Sequence, residues 1–444
     1  MTIKPKLGLF DLTMVTVSLV IGMGIFRTPV EVANKAGTPT VLFAAWIIGA
    51  VVSLFGALTF AEIGSRYHVT GGFYRIFSHC YHPAFAFMVN WMTVISNAGS
   101  TAIVAIIGAE YINPLIMPNV EHDLGIKITT ISAIIILYIL NMLGIKMSAR
   151  ALNVLMMIKI ALMLLLISAI FIPAERVEPV TVESGSFSLH AFWLCFLPVF
   201  FTYGGYQQTM NFGSDVPNGA RTMPRAIFWG IAIILALYLL INISYYHVLG
   251  MDGIRTSTAL ASDMAEHILG SSASKVIAVV MFFSVMAYVN ASIMSNPRVY
   301  YAMAEDKVLP KIFARINERT QVQEFSTTFF VAFMLITLFL TSSFSQVLNY
   351  VMFFDSISLI TASAAIFVLR YRARNSDNNP EIYKIPLYPW LPAIFAITYT
   401  LVNVSILISN PYASIIGFVL FLLGWPLFFA LRRITNKQQP TTNG

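Results

Sequence analysis

Apolar runs long enough to cross hydrocarbon, which takes roughly 20 residues, recur along the chain between short polar segments. Twelve are read, near 10–32, 40–62, 83–111, 126–145, 151–173, 190–213, 225–249, 274–303, 326–343, 346–369, 388–408 and 412–431. They predict an all-α membrane protein. Two runs carry a glycine break near mid-span: Gly22 and Gly24 in Val20-Ile21-Gly22-Met23-Gly24-Ile25-Phe26-Arg27, and Gly204-Gly205 in Phe201-Thr202-Tyr203-Gly204-Gly205-Tyr206-Gln207. A helix broken inside hydrocarbon leaves N–H and C=O groups without partners, which is costly unless they line a cavity or bind something. Two such breaks at matched places point to the substrate site of a secondary transporter. Glycine used only for close helix packing is the plainer alternative.

The breaks lie five spans apart. Five is odd, so the two broken helices enter from opposite sides and the halves are related by inversion. This predicts a first repeat over 1–173, a second over 174–372, and two appended spans with a tail over 373–444. No low-complexity block or soluble domain interrupts the pattern, and the longest inner connection, about 304–325, is too short for one.

Composition and charge agree with this class. The chain has 444 residues, of which 57% are hydrophobic and 11% charged, against about 25% charged in soluble domains. With the N-terminus inside, the inner segments carry 20 of the 27 Lys and Arg residues. The outer loops carry five, Lys35, Lys127, Arg176, Arg255 and Lys275; Arg27 and Lys159 fall within spans. That asymmetry follows the positive-inside rule, puts both termini in the cytoplasm, and makes the net +7 topological rather than a nucleic-acid patch. The first run is too long for a signal peptide and stays as a span. Cys80, placed in a loop, and Cys195, near the start of the sixth span, are expected toward opposite faces, which leaves no disulfide between them.

The breaks suit the two charged ends of an amino acid. The amides of Met23, Gly24 and Ile25 open the outer half of the first span, where the positive end of a half-helix holds a carboxylate. Carbonyls freed at Val20, Ile21, Phe201 and Tyr203 are available to an ammonium group. The expected substrate site is therefore Ile21, Gly22, Met23, Gly24, Ile25, Phe201, Tyr203, Gly204, Gly205 and Tyr206, with Tyr206 closing over the ligand. Lys159 sits about nine residues from the inner end of its span, or roughly 13 Å deep. It must be paired, solvated in a cavity or neutral, with snorkelling as the plainer alternative. Arg27 and Asp355 are the other intramembrane charges, and a mutual pair is the economical arrangement. Separate contacts, with outer water for Arg27 and a hydroxyl for Asp355, are the alternative. Polar stripes at Thr93, Asn97 and Ser100, and at Ser284, Tyr288 and Ser292, line a path or join helices by hydrogen bonds.

Several segments resemble the amino acid–polyamine–organocation superfamily, in particular its L-type amino-acid transporter branch. They are Gly22-Met23-Gly24-Ile25-Phe26, Phe201 to Tyr206, Arg221 to Ile227, Ser295 to Ala304 with Leu309-Pro310, and Glu62 to Tyr74. The resemblance implies a five-plus-five inverted-repeat fold with helices 1 and 6 broken, moving amino acids by alternating access. It implies that Lys159 replaces a sodium ion between spans one and eight and carries a proton. It likens Arg27 and Asp355 to the outer gate of sodium-coupled members of the fold. Met23 and Tyr206 depart from the usual residues at their positions, which leaves substrate size open. Eukaryotic L-type relatives join a glycoprotein partner through a cysteine after span three. The loop at 112–125 has none, so a bacterial protein without a disulfide-linked subunit is expected.

The expected function is sodium-independent exchange or proton-coupled uptake of amino acids at the inner membrane, with no cofactor and no metal. A polyamine or other amine carrier is the alternative within transport; a channel or a non-transporting sensor is the alternative outside it. No Walker-type phosphate loop, nucleophile–base pair or metal-ligand set argues for an enzyme.

Overall fold

A computed structural model describes residues 5–172, 188–257, 259–270, 273–340, 344–373, 381–409 and 411–437. Arg176, used above for topology, lies outside these residues, as does the end of the tail. The described chain is helical, and an isolated antiparallel bridge joins Thr70 and Phe212. The first expected span is two helices, α1 (Leu9–Val20) and α2 (Gly24–Ala36), followed by α3 (Pro39–Arg66). A short helix α4 (Gly72–Cys80) precedes α5 (Pro83–Ile116), α6 (His122–Met142) and α7 (Ile145–Ser168). The second half opens with α8 (Leu189–Tyr203), continues as 3-10 turns over Tyr206–Asn211 and Gly213–Asp215, and runs into α9 (Gly219–Thr256). Then come α10 (Leu260–Leu269), α11 (Ala273–Glu305), α12 (Glu324–Leu340), α13 (Phe344–Ala373), α14 (Trp390–Ser409) and α15 (Pro411–Lys437).

Taking α1 and α2 together, ten of these segments are long and apolar enough to cross a membrane, which makes this a multi-pass membrane protein. The two further expected spans are shorter: the apolar part of α12 covers Glu324–Phe339, and α8 has 15 residues before its glycines. Cys80 closes helix α4 rather than lying in a loop. The short helices α4 and α10 were not foreseen.

Burial sorts the helices into a centre and a rim. In the apolar windows of the α1–α2 pair and of α5, 83% of residues are buried, against 17% in α15. Helix α1 packs against α7, α9 and α11, and α2 against α8. The exposed side of α15 is apolar, with Phe418, Leu422 and Trp425, as lipid contact requires. The broken elements therefore sit at the centre, away from hydrocarbon, where irregular backbone is tolerated.

The two breaks meet. At Gly24 a Cβ would stand 3.0 Å from the Thr202 side chain. Gly205 has φ +116°, and a Cβ there would overlap the Leu19 carbonyl. Rising numbers on α1–α2 (Leu19 to Gly24) thus face falling numbers on the second break (Gly205 to Thr202), so the two segments cross antiparallel. Only glycine permits both the left-handed backbone at Gly205 and this approach.

Candidate functional site

Helix α1 ends as Ile21 leaves helical geometry (φ −75°, ψ 80°), and α2 restarts at Gly24. Ile21 and Gly22 still donate back into α1, to Val17 and Val20. Among the described residues no group accepts a hydrogen bond from the amides of Met23, Gly24 or Ile25. They are the first-turn donors of α2, and both unpaired amides and helix dipole there favour an anion.

Met23 and Gly24 edge a small cavity of about 50 Å³ at the centre of the bundle. Leu19, Val20, Gly22, Met23 and Gly24 form one wall, and Phe200, Phe201, Thr202, Gly204, Gly205 and Gln208 the facing one. Helix α5 adds Asn97, Ser100 and Val104, α11 adds Tyr288, α13 adds Asp355 and Leu359, and α14 adds Tyr399. Of the ten expected substrate residues, Gly22, Met23, Gly24, Phe201, Gly204 and Gly205 line this cavity. The side chains of Ile21, Ile25, Tyr203 and Tyr206 do not. Tyr203 donates its hydroxyl to the Trp46 carbonyl at 3.3 Å. The buried Tyr206 packs edge-on against Phe60, 6.0 Å between ring centroids.

Two freed carbonyls at the first break already have partners. The fully buried Lys159 donates from Nζ to the Ile21 carbonyl, and Tyr238 donates to the Val20 carbonyl at 3.2 Å. Lys159 thus sits behind the break rather than in the cavity. The polar stripes divide in the same way. Asn97, Ser100 and Tyr288 line the cavity, whereas Ser292 bonds Thr101 at 2.7 Å and joins α11 to α5.

A second, larger cavity of about 610 Å³ opens at the α10 end. Arg27, Glu110, Tyr111 and Leu260 are among its walls, and Arg27 is close enough to Glu110 to act on its charge. Met23 lines both cavities and forms the partition between them. Arg27 and Asp355 therefore stand on different cavities in this conformation.

The α4 end is closed by buried ion pairs. Arg298 binds Asp215 through Nε at 2.8 Å and Nη2 at 3.1 Å, with its guanidinium 4.1 Å from the Phe212 ring centroid. The Asp215 carbonyl accepts from the Lys6 and Leu7 amides. The fully buried Glu62 accepts from Arg66 at 2.7 Å, from Arg370 at 2.9 and 2.7 Å, and from the Ile385 amide at 2.7 Å. These contacts tie α3, α13 and the approach to α14 together. Sequence reasoning missed Asp215–Arg298, Tyr238, Gln208 and Tyr399. Asp215 and Arg298 belong to segments adjoining the quoted motifs, but nothing local pairs them.

A family model described as amino acid permease matches residues 7–431. The serine/threonine exchanger SteT of Bacillus subtilis is 28% identical over 437 residues, covering 97% of this chain and 98% of the relative. The human cystine/glutamate transporter is 27% identical over 434 residues, covering 96% and 85%. The rat large neutral amino acids transporter small subunit 2 is 24% identical over 438 residues, covering 96% and 80%.

Proposed function

Since this chain belongs to the amino acid permease family, we propose that it is a secondary-active amino-acid transporter working by alternating access, as an exchanger or with protons, without sodium. The observation that carries this reading is the set of three unpartnered amides at Met23, Gly24 and Ile25, the first two of these residues lining a cavity bounded by both breaks. A carboxylate satisfies such donors at a helix N-terminus. The antiparallel crossing of the breaks supports two inverted repeats, 1–173 and 174–372, in a twelve-span chain with 373–444 appended. The excess of Lys and Arg on the inner segments supports both termini in the cytoplasm, with the α4 end inward and the α10 end outward, in a cell inner membrane. Substrate and lipid are the partners proposed, with no disulfide-linked subunit, and the role is transport rather than catalysis.

Lys159 supports the sodium-independent reading, because its ammonium reaches the freed Ile21 carbonyl at the break itself. We propose that it holds the break in its binding geometry and serves the coupling step. Arg27 and Asp355 line separate cavities, which favours separate roles over a fixed gate pair; exchanging the two charges decides the matter, since a pair would regain the transport lost in either single swap. An amine carrier is the second reading, favoured by a carboxylate in the cavity, but an amine without a carboxylate leaves the three amides unmatched.

Counterflow in proteoliposomes tests the proposal, with a panel of labelled amino acids and polyamines, two pH gradients, and sodium replaced by choline. Saturable exchange of at least one amino acid, unchanged in choline, is expected. Exchange of no amino acid refutes the functional reading, and exchange that ignores pH removes the proton from Lys159.

A further inference from the structure

The central cavity has more unmet acceptors than the breaks alone explain. Asp355 lines it with neither an ion pair nor a hydrogen bond among the described residues. Beside it, Gln208 Oε1 and the hydroxyl of the fully buried Tyr399 are also without partners. The carbonyls of Val20 and Ile21, natural receptors for an ammonium group, are instead engaged by Tyr238 and Lys159. No lysine, arginine or histidine is among the cavity's lining residues. A carboxylate held this way in a membrane protein needs a cation or a proton to neutralise it, and a substrate ammonium group supplies the cation.

We propose that Asp355 is the receptor for the substrate's α-ammonium group, with Gln208 and Tyr399 completing its acceptor shell. This rests on the amino-acid reading above and gives each end of the zwitterion its own partner. The carboxylate lies on the Met23–Ile25 amides at the positive end of α2, and the ammonium lies on Asp355 as a charge-assisted pair. Met23 and Gly24 edge the same cavity of about 50 Å³ as Asp355, Gln208 and Tyr399, so a single compact zwitterion spans them. The ammonium then faces the Asp355 carboxylate, while the substrate carboxylate rests on uncharged amides at the positive end of α2. A bare amine meets only half of the site, and so does an α-hydroxy acid.

The test compares wild type, Asp355→Asn, Asp355→Glu and Gln208→Leu in proteoliposomes, using the amino acid that wild type exchanges best and its α-hydroxy analogue. Asp355→Asn should raise the half-saturation concentration at least about tenfold, as expected for a lost hydrogen bond to a charged group. The maximal rate at saturating substrate should hold within about threefold, because the loss is in binding. Asp355→Glu should recover part of the affinity, and Gln208→Leu should lose a smaller factor. The preference for amino over hydroxy acid should shrink in Asp355→Asn. Substrate-induced thermal stabilisation in detergent gives the same readout without transport, and applies to each variant that purifies as a single species. An unchanged half-saturation in Asp355→Asn overturns the assignment, and so does recovery of transport in the Arg27→Asp/Asp355→Arg double variant, which would make Asp355 a gate. If wild type itself exchanges no amino acid, the functional reading fails instead.

Discussion

Replacing Lys159 by methionine should separate transport from stability. The lysine is fully buried, and its ammonium donates to the Ile21 carbonyl where α1 ends. A hydrogen bond from a charged donor contributes about 1.5–3 kcal/mol, so losing it should weaken the binding-competent break by about 10- to 150-fold, read as exchange at sub-saturating substrate. The stability terms oppose one another. The orphaned Ile21 carbonyl costs about 1–3 kcal/mol, while replacing a buried ammonium by an apolar side chain of similar length removes a desolvation cost of several kcal/mol. Purified Lys159→Met should therefore melt in detergent no earlier than wild type, while proteoliposome exchange falls at least tenfold. Lys159→Gln keeps a neutral donor and should fall between the two. If exchange and melting temperature drop together, Lys159 is only a structural brace and the role argued for it is wrong. Unimpaired exchange in Lys159→Met refutes it equally.

Other outcomes follow from the same geometry. Arg298→Gln leaves Asp215 buried without its cation and should destabilise the protein by about 3–5 kcal/mol, seen as early melting or poor yield; Arg298→Met with Asp215→Leu should recover much of it. Gly205→Ala puts a Cβ on a residue with φ +116° and into the Leu19 carbonyl; the backbone strain alone is about 1–2 kcal/mol, so exchange should be lost and melting lowered, whereas Gly37→Ala, with nothing within 4 Å, should show the strain without the collision. Burial pushes the Cys80 thiol up to about 11, against an opposing pull from Arg372. A raised thiol pKa means less thiolate at any pH below it, so alkylation of Cys80 at pH 8 should run about a hundredfold slower than for an unperturbed cysteine and climb as pH approaches 11; fast labelling at pH 8 would contradict this burial.

Where the sequence spoke, it spoke through local chemistry. Runs of about 20 apolar residues need no partner to declare a span, and a glycine pair in mid-run marks a break because the residues themselves cannot hold a helix there as well as others can. The glycine positions at 22, 24, 204 and 205 and the first-turn amides of α2 were legible on those grounds. The end of the second break was not: its continuation is a 3-10 turn over Tyr206–Asn211 rather than a second α-helical half, and propensity alone does not choose between the two.

Tertiary structure decided what the freed groups touch. Lys159 and Ile21, Tyr238 and Val20, and Arg298 and Asp215 lie 138, 218 and 83 residues apart, and no periodicity within one run encodes such meetings. The sequence marked Val20 and Ile21 as freed acceptors; packing then filled them from α9 and α7 and left Asp355, Gln208 and Tyr399 facing the cavity in their place. Arg27 and Asp355 were identifiable as charges within spans by composition alone, since each interrupts an apolar run. Whether two such charges share a cavity depends on how Met23 and its neighbours pack between them, and that is fixed only when the helices close around the breaks.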